Sequence, residues 1–175
     1  MISPTSALPH LFKDGLTTYA ILDGAQAPDL RQNLHASGLE FICLYRGEIP
    51  DDLAQVAPYL VALKREHNFT AWILERGWGH SWGIFARAEA AIAMPEIRKH
   101  FRKFLLVEFP DRKPRYFRYY DPRVLNNYLP TCNQDEVRTL LGPLNDYIAE
   151  SLEPGVATRY SAARGLLCIE NLRLE

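Results

Sequence analysis

The GHSWG motif, residues 79–83, matches the G-x-S-x-G pattern of a nucleophile elbow, in which a serine attacks an ester or amide carbonyl. In a true elbow a buried strand runs directly into the turn and a helix follows it. Here a charged, helix-like segment that ends at Gly77 comes first, and the strand-like run 81–88 comes after. The order of elements is therefore reversed, and the pattern favours a glycine-rich loop at the start of a strand.

The residues that would complete a catalytic triad are also poorly placed. In hydrolases with this motif, an acid and then a histidine follow the serine along the chain. His100 is the only histidine after Ser81, no aspartate lies between them, and Glu89 and Glu96 share one short stretch with His100. Triads also exist in other chain orders. A small serine hydrolase that uses Ser81 therefore remains an alternative interpretation.

The sequence contains no pattern typical of a metal or cofactor site. The five histidines are scattered without an H-x-H or H-E-x-x-H motif, and neither common glycine-rich phosphate loop is present. Cys43, Cys132 and Cys168 are far apart and form no C-x-x-C pair. We therefore expect no cofactor and no metal, and the cysteine usage indicates a reducing cytoplasm. No apolar run is long enough to predict a membrane span.

Basic side chains are concentrated in one part of the chain. Residues 87–123 carry ten lysines and arginines but only five acids, although the whole chain has a net charge of −1. The simplest interpretation is a solvated helix face and a charged hairpin tip. A second interpretation is a docking surface for an acidic partner, because complementary charge steers association. Arginines alternate with aromatic residues in RYFRYYDPR, a combination that also suits nucleic acid, but the net charge argues against that partner.

The periodicity of apolar residues predicts alternating strands and helices. Strands are expected near 17–24, 41–45, 58–63 and 81–88, and helices near 28–38, 50–57, 68–77 and 95–106. A β-hairpin is expected near 105–120, with helices after it that begin at Asp121 and Asn133, and a strand or two after residue 145. These elements predict an α/β or α+β fold with a mixed β-sheet flanked by helices.

Six stretches, in this order, resemble landmarks of the type VI secretion effector chaperone (adaptor) family, which has long been classified only as a domain of unknown function. They are Tyr19–Ala25, Ala57–Leu63, Ser81–Phe85, 98–107, the FRYYDPRVL stretch at 117–125, and Leu141–Pro143. Each stretch is short, but six in the same order make a specific match. Below, these are called the six landmarks.

The resemblance implies a function in binding and not in catalysis. Members of that family are non-enzymatic proteins of the bacterial cytoplasm that bind a cognate toxin effector and help to load it onto a VgrG-type spike protein. It implies an adaptor domain over residues 1–150 and a short C-terminal extension over 151–175, a remnant of or substitute for a helical lobe. It implies no membrane or nucleic-acid partner.

Six residues are candidates for partner binding on the basis of the landmarks and of their chemistry. They are Trp78, Trp82, Arg115, Arg118, Asp121 and Arg123. For Asp121 a structural role competes with direct contact to the partner, because an aspartate before a proline is typical of a helix N-cap that pairs with a nearby arginine.

Overall fold

A seven-stranded sheet forms the centre of the molecule. The computed structural model describes residues 4–108 and 112–174, and its sheet has the strand order β2-β3-β1-β4-β7-β8-β9. The strands of this sheet are β1 (Leu16–Asp23), β2 (Phe41–Cys43), β3 (Pro58–Ala62), β4 (Gly83–Glu89), β7 (Leu144–Glu150), β8 (Val156–Ala163) and β9 (Leu166–Arg173). A separate hairpin consists of β5 (Leu106–Glu108) and β6 (Pro114–Tyr116).

Seven α-helices connect and cover the strands within the described residues. They are α1 (Leu8–Leu11), α2 (Leu30–Ser37), α3 (Asp51–Val56), α4 (Asn68–Gly77), α5 (Met94–Arg102), α6 (Pro122–Tyr128) and α7 (Gln134–Leu141). Short 3₁₀ turns lie at Pro4–Ala7 and Leu129–Thr131. Among the described helices none combines the length and the apolar character that crossing a membrane requires.

The predicted fold class, a sheet flanked by helices with a hairpin near 105–120, is confirmed. The prediction of a mixed sheet is wrong in one respect, because every strand pair in the described residues is antiparallel. Strands β1 and β2 do run in the same direction, but β3 lies between them in the opposite direction. Apolar periodicity reports which residues face the core and carries no information on which strands become neighbours.

Both faces of the sheet are buried, so β1 is apolar along most of its length. Tyr19 and Ile21 point into one core with α5, α6 and α7, whereas Ala20 and Leu22 point into a second core with α1, α2 and α4. Alternate side chains of a strand face opposite sides of the sheet, and two covered faces therefore require a continuous apolar run.

The residues after position 150 continue the same sheet. Strand β8 pairs with β7, and β9 pairs with β8 in uninterrupted register from Ala163↔Leu166 to Val156↔Arg173. The predicted strands in this region are therefore confirmed, and the described part of 151–175 is built of strands and turns with no helix.

Candidate functional site

The loop that contains GHSWG connects α4 to β4. Helix α4 ends at Gly77 and β4 begins at Gly83, so the order is helix, turn, strand. This is the reverse of a nucleophile elbow, as the sequence predicts. Gly79 and Ser81 both have positive φ angles, +82° and +56°. The left-handed conformation favours glycine at position 79 and turns the chain sharply at both positions.

A carboxylate at the end of β7 holds this loop in place. The backbone N–H groups of Gly79 and Ser81 both donate hydrogen bonds to the Glu150 carboxylate, at 2.6 Å for the Ser81 bond to Oε1. Burial raises the pKa of Glu150, although the hydrogen bonds from these two N–H groups and from the Ser81 hydroxyl act in the opposite direction. The Ser81 hydroxyl is thus hydrogen-bonded to the Glu150 carboxylate.

The histidine that follows Ser81 in the sequence has a different role. His100 is buried in the core beside α7, and its Nε2 lies 2.8 Å from the carbonyl oxygen of Leu140. Because a carbonyl can only accept, Nε2 carries the proton. Burial lowers the pKa of His100 to about 4, which keeps the ring neutral at physiological pH.

A cleft of about 490 Å³ opens between this loop, the start of α6 and the turn between β7 and β8. Its lining combines aromatic, aliphatic and charged groups, among them Trp78, Arg123, Glu150, Leu152 and Leu174. The Trp78 ring stacks on Phe85 with 6.1 Å between ring centroids. Leu152 is 74 % exposed, so an apolar side chain projects from the rim of the cleft. The mixture suits recognition of a protein segment through apolar and polar contacts.

Asp121 caps α6 and also holds Arg123 at the cleft. Its carboxylate accepts the Arg123 backbone N–H at 2.9 Å and the Arg123 guanidinium at 2.9 Å (Nε) and 2.6 Å (Nη2). Burial alone would raise the pKa of Asp121, but the hydrogen bonds and charge of Arg123 more than offset it and hold the pKa below its usual value. The predicted cap and its arginine partner are confirmed.

A second arginine–aspartate pair joins the FRYYDPRVL stretch to the end of β1. The Arg118 guanidinium forms an ion pair with the buried carboxylate of Asp23, which also accepts the backbone N–H of Ala25 at 3.0 Å. Burial would lower the pKa of Arg118, but its hydrogen bond to Asp23 and the charge of Asp23 raise it overall. Arg118 therefore stays charged and balances the negative charge of the buried Asp23 carboxylate.

The six candidate residues from the sequence do not form one site. Trp78 and Arg123 line the cleft, with Asp121 holding Arg123 in place. Trp82 packs instead against Trp72, at 5.1 Å between ring centroids, and Arg115 lies exposed in β6, outside the cleft.

The structure also adds residues that the sequence analysis did not select. Glu150 and Asn126 line the cleft, and the Asn126 side-chain amide donates to the Glu150 carbonyl at 2.9 Å. Asp23 does not line the cleft, but its ion pair with Arg118 joins it to the FRYYDPRVL stretch, which contributes Pro122 and Arg123 to the cleft. Asp23 could have been noticed as an acid at the end of an apolar strand, whereas Glu150 has no local sequence signal. No cluster of three or more potential metal ligands occurs in the described residues.

The comparison with known proteins gives a family and no individual relative. Neither a curated protein nor a solved structure matches the chain. A family model matches residues 18–139, a range that contains the first five of the six landmarks and extends from β1 into α7. Because this match covers more than half of the chain, the protein belongs to the family described as a domain of unknown function, DUF4123.

Proposed function

We propose that this protein is a non-enzymatic adaptor that binds a cognate type VI secretion toxin effector and helps to load it onto a VgrG-type spike protein. The resemblance of the six landmarks to the effector chaperone family motivates the proposal. Membership of a domain family that spans residues 18–139 is compatible with it.

The observation that carries the proposal is that the landmarks contact one another and that two of them, Ser81–Phe85 and 117–125, contribute Ser81, Pro122 and Arg123 to the cleft. The Asp23 backbone N–H donates to the Trp82 carbonyl at 2.8 Å, and the Gly24 N–H donates to the Ala57 carbonyl at 3.0 Å. Arg118 then pairs with Asp23. Four separate landmarks are thereby joined at one end of the sheet, beside the cleft that Trp78 and Arg123 line.

The remaining two landmarks are attached to the same unit. The Phe117 N–H donates to the Leu105 carbonyl at 2.9 Å, which connects the stretch 98–107 to 117–125. Gly142 lies so close to His100 that an added Cβ would be 2.5 Å from the imidazole ring. The shared sequence features therefore describe a scaffold, and the cleft at its edge offers contact groups to a partner.

The test is co-expression of the protein with the products of neighbouring genes, followed by co-purification. We expect a stable complex with one toxin-like partner. Leu152→Asp should weaken this complex at least tenfold, because it places a charge at the apolar rim of the cleft. The control is Leu166→Asp, which makes the same change at a 56 % exposed leucine outside the cleft and should leave binding intact.

Two results would contradict the proposal. One is equal binding by wild type and Leu152→Asp together with loss in the Leu166→Asp control. The other is hydrolysis of a generic ester that disappears in Ser81→Ala, which would restore the hydrolase interpretation of GHSWG.

A further inference from the structure

Three arginines meet at the end of β2, on a surface separate from the cleft. Arg102, in the last turn of α5, donates from Nε to the Leu44 carbonyl at 2.8 Å and from Nη2 to the carbonyls of Cys43 (3.2 Å) and Tyr45. These bonds fix the guanidinium against the backbone that follows β2. They also use only carbonyl oxygens, so the positive charge is not neutralised.

Arg98 lies one helical turn before Arg102, on the same face of α5. Its Nε is buried and has no hydrogen-bond partner. Such a donor costs free energy until an acceptor reaches it. Arg46 is exposed and follows Tyr45 directly in the chain.

Arg98 and Arg46 both lie close enough to Arg102 for their charges to act on its guanidinium. Burial lowers the pKa of Arg102, and the positive charges of Arg98 and Arg46 lower it further. Within the described residues, none of the three forms an ion pair with a carboxylate, whereas nearby Arg31 is paired with Asp51 at 3.0 Å. The result is a local excess of positive charge in a chain whose net charge is −1.

Two tyrosines border the same surface. The rings of Tyr45 and Tyr116 lie 5.5 Å apart, and Tyr116, from the β5–β6 hairpin, is 61 % exposed. Tyrosine and arginine are among the residue types enriched where proteins bind one another, because each offers a large contact area and a hydrogen-bonding group.

We propose that Arg46, Arg98, Arg102 and Tyr116 form a docking site for an acidic peptide segment of a partner protein. Carboxylates form charge-assisted, often bidentate bonds with guanidinium groups and would supply the acceptors that this surface lacks. An extended nucleic acid fits less well, because acids outnumber bases over the rest of the chain and would repel a long polyanion. The inference does not depend on the cleft or on the effector adaptor function.

The test uses the purified protein and a fluorescein-labelled twelve-residue peptide of alternating glutamate and glycine, with binding followed by fluorescence anisotropy. The double variant Arg46→Gln/Arg98→Gln should lose about tenfold in affinity, as expected for two ion pairs of moderate strength. Arg102 is left unchanged because its bonds to three carbonyls support β2. Circular dichroism should show that the variant is folded.

A matched variant removes the same amount of charge elsewhere. Lys99→Gln/Arg138→Gln changes two exposed residues, one on α5 and one on α7, and should retain the wild-type affinity. Equal losses in both double variants would mean that only net charge matters and would overturn the proposal. No binding by the folded wild type would overturn it as well.

A second probe, a twelve-nucleotide single-stranded DNA, distinguishes the two kinds of polyanion. We expect weaker binding than for the peptide at 150 mM salt. Tighter DNA binding that is lost in Arg46→Gln/Arg98→Gln would assign the surface to nucleic acid and would contradict the acidic peptide. Neither outcome bears on effector co-purification, so the two proposals fail independently.

Discussion

Among single residues, three carboxylates hold the cleft and the landmarks next to it in place, and each has specific partners. Asp121 caps α6 and holds Arg123, Asp23 pairs with Arg118, and Glu150 accepts two backbone N–H groups of the GHSWG loop. The cap at Asp121 could be predicted from sequence because cap and helix are adjacent. The Glu150 contact spans 69 residues from Ser81. No local pattern encodes such a contact, since it exists only after β4 and β7 have paired.

The raised pKa of Glu150 leads to a prediction about pH. An acid whose pKa is higher in the folded than in the unfolded state binds its proton more tightly when folded. Its contribution to the free energy of unfolding therefore declines as pH rises from about 4.3, the ordinary glutamate value, through the folded pKa. Glu150→Gln removes this titration but places an amide N–H against a backbone N–H, at a cost of about 1–2 kcal/mol.

We expect the stability advantage of wild type over Glu150→Gln to be largest near pH 4 and to shrink toward pH 7. The measurement is urea unfolding of both proteins at several pH values, with Asp135→Asn, an exposed acid of α7, as the control. An advantage that grows steadily with pH would mean that the folded pKa is lowered and would contradict the burial argument.

At the scale of elements, two landmark glycines are explained by close packing of the backbone. An added Cβ at Gly83 would lie 2.1 Å from the Ile21 carbonyl oxygen, and one at Gly24 would lie 2.5 Å from the Gln55 carbonyl oxygen. Neither position needs a positive φ. The GHSWG pattern predicted a glycine-rich loop at this point, but the requirement for glycine at position 83 is the close approach of β4 to β1.

Gly83→Ala should therefore destabilise the protein by about 3 kcal/mol, because the added methyl group must displace the paired β1 backbone. Thermal and urea unfolding measure the effect. Ser81→Ala, two residues earlier in the same landmark, is the control and should cost less than about 1 kcal/mol, since the backbone bond from Ser81 to Glu150 is retained. A Gly83→Ala protein as stable as the control would show that β4 can shift away from Ile21 without cost.

The sequence predicted most helices and strands but not all of their boundaries. The capping box of Asn133 with Glu136 begins α7 as expected. Helix α4 is capped by His67, whose Nδ1 accepts the Phe69 N–H at 3.1 Å, although histidine is not among the usual N-cap residues. Helix α5 ends at Arg102, four residues before the predicted end, since Leu105 and Leu106 leave the helix to lead into the hairpin. The two N-terminal caps are local contacts, whereas the end of α5 is followed by a tertiary contact, the hydrogen bond from the Phe117 N–H to the Leu105 carbonyl.

In the molecule as a whole, the landmarks form a connected scaffold. Arg118 could therefore act in either of two roles, as a structural partner of Asp23 or as a direct contact to a binding partner. If the landmark arginine stabilises the fold, Arg118→Gln leaves Asp23 buried without its cation and should cost about 1–3 kcal/mol, a range reduced for the partial exposure of Arg118. Asp23→Asn should be costly as well. The double variant should cost less than the sum of the two, because each single change already breaks the same pair.

Partner binding separates this structural role from a direct contact. Measured well below the unfolding temperature, where every variant is folded, Arg118→Gln should bind the co-purified partner within about threefold of wild type, while Leu152→Asp at the cleft rim should not. Wild-type stability in Arg118→Gln combined with lost binding would instead make Arg118 a contact residue. Additive costs in the Asp23 and Arg118 double variant would show that the two residues stabilise the fold independently, and the ion pair would then not be the link between β1 and FRYYDPRVL.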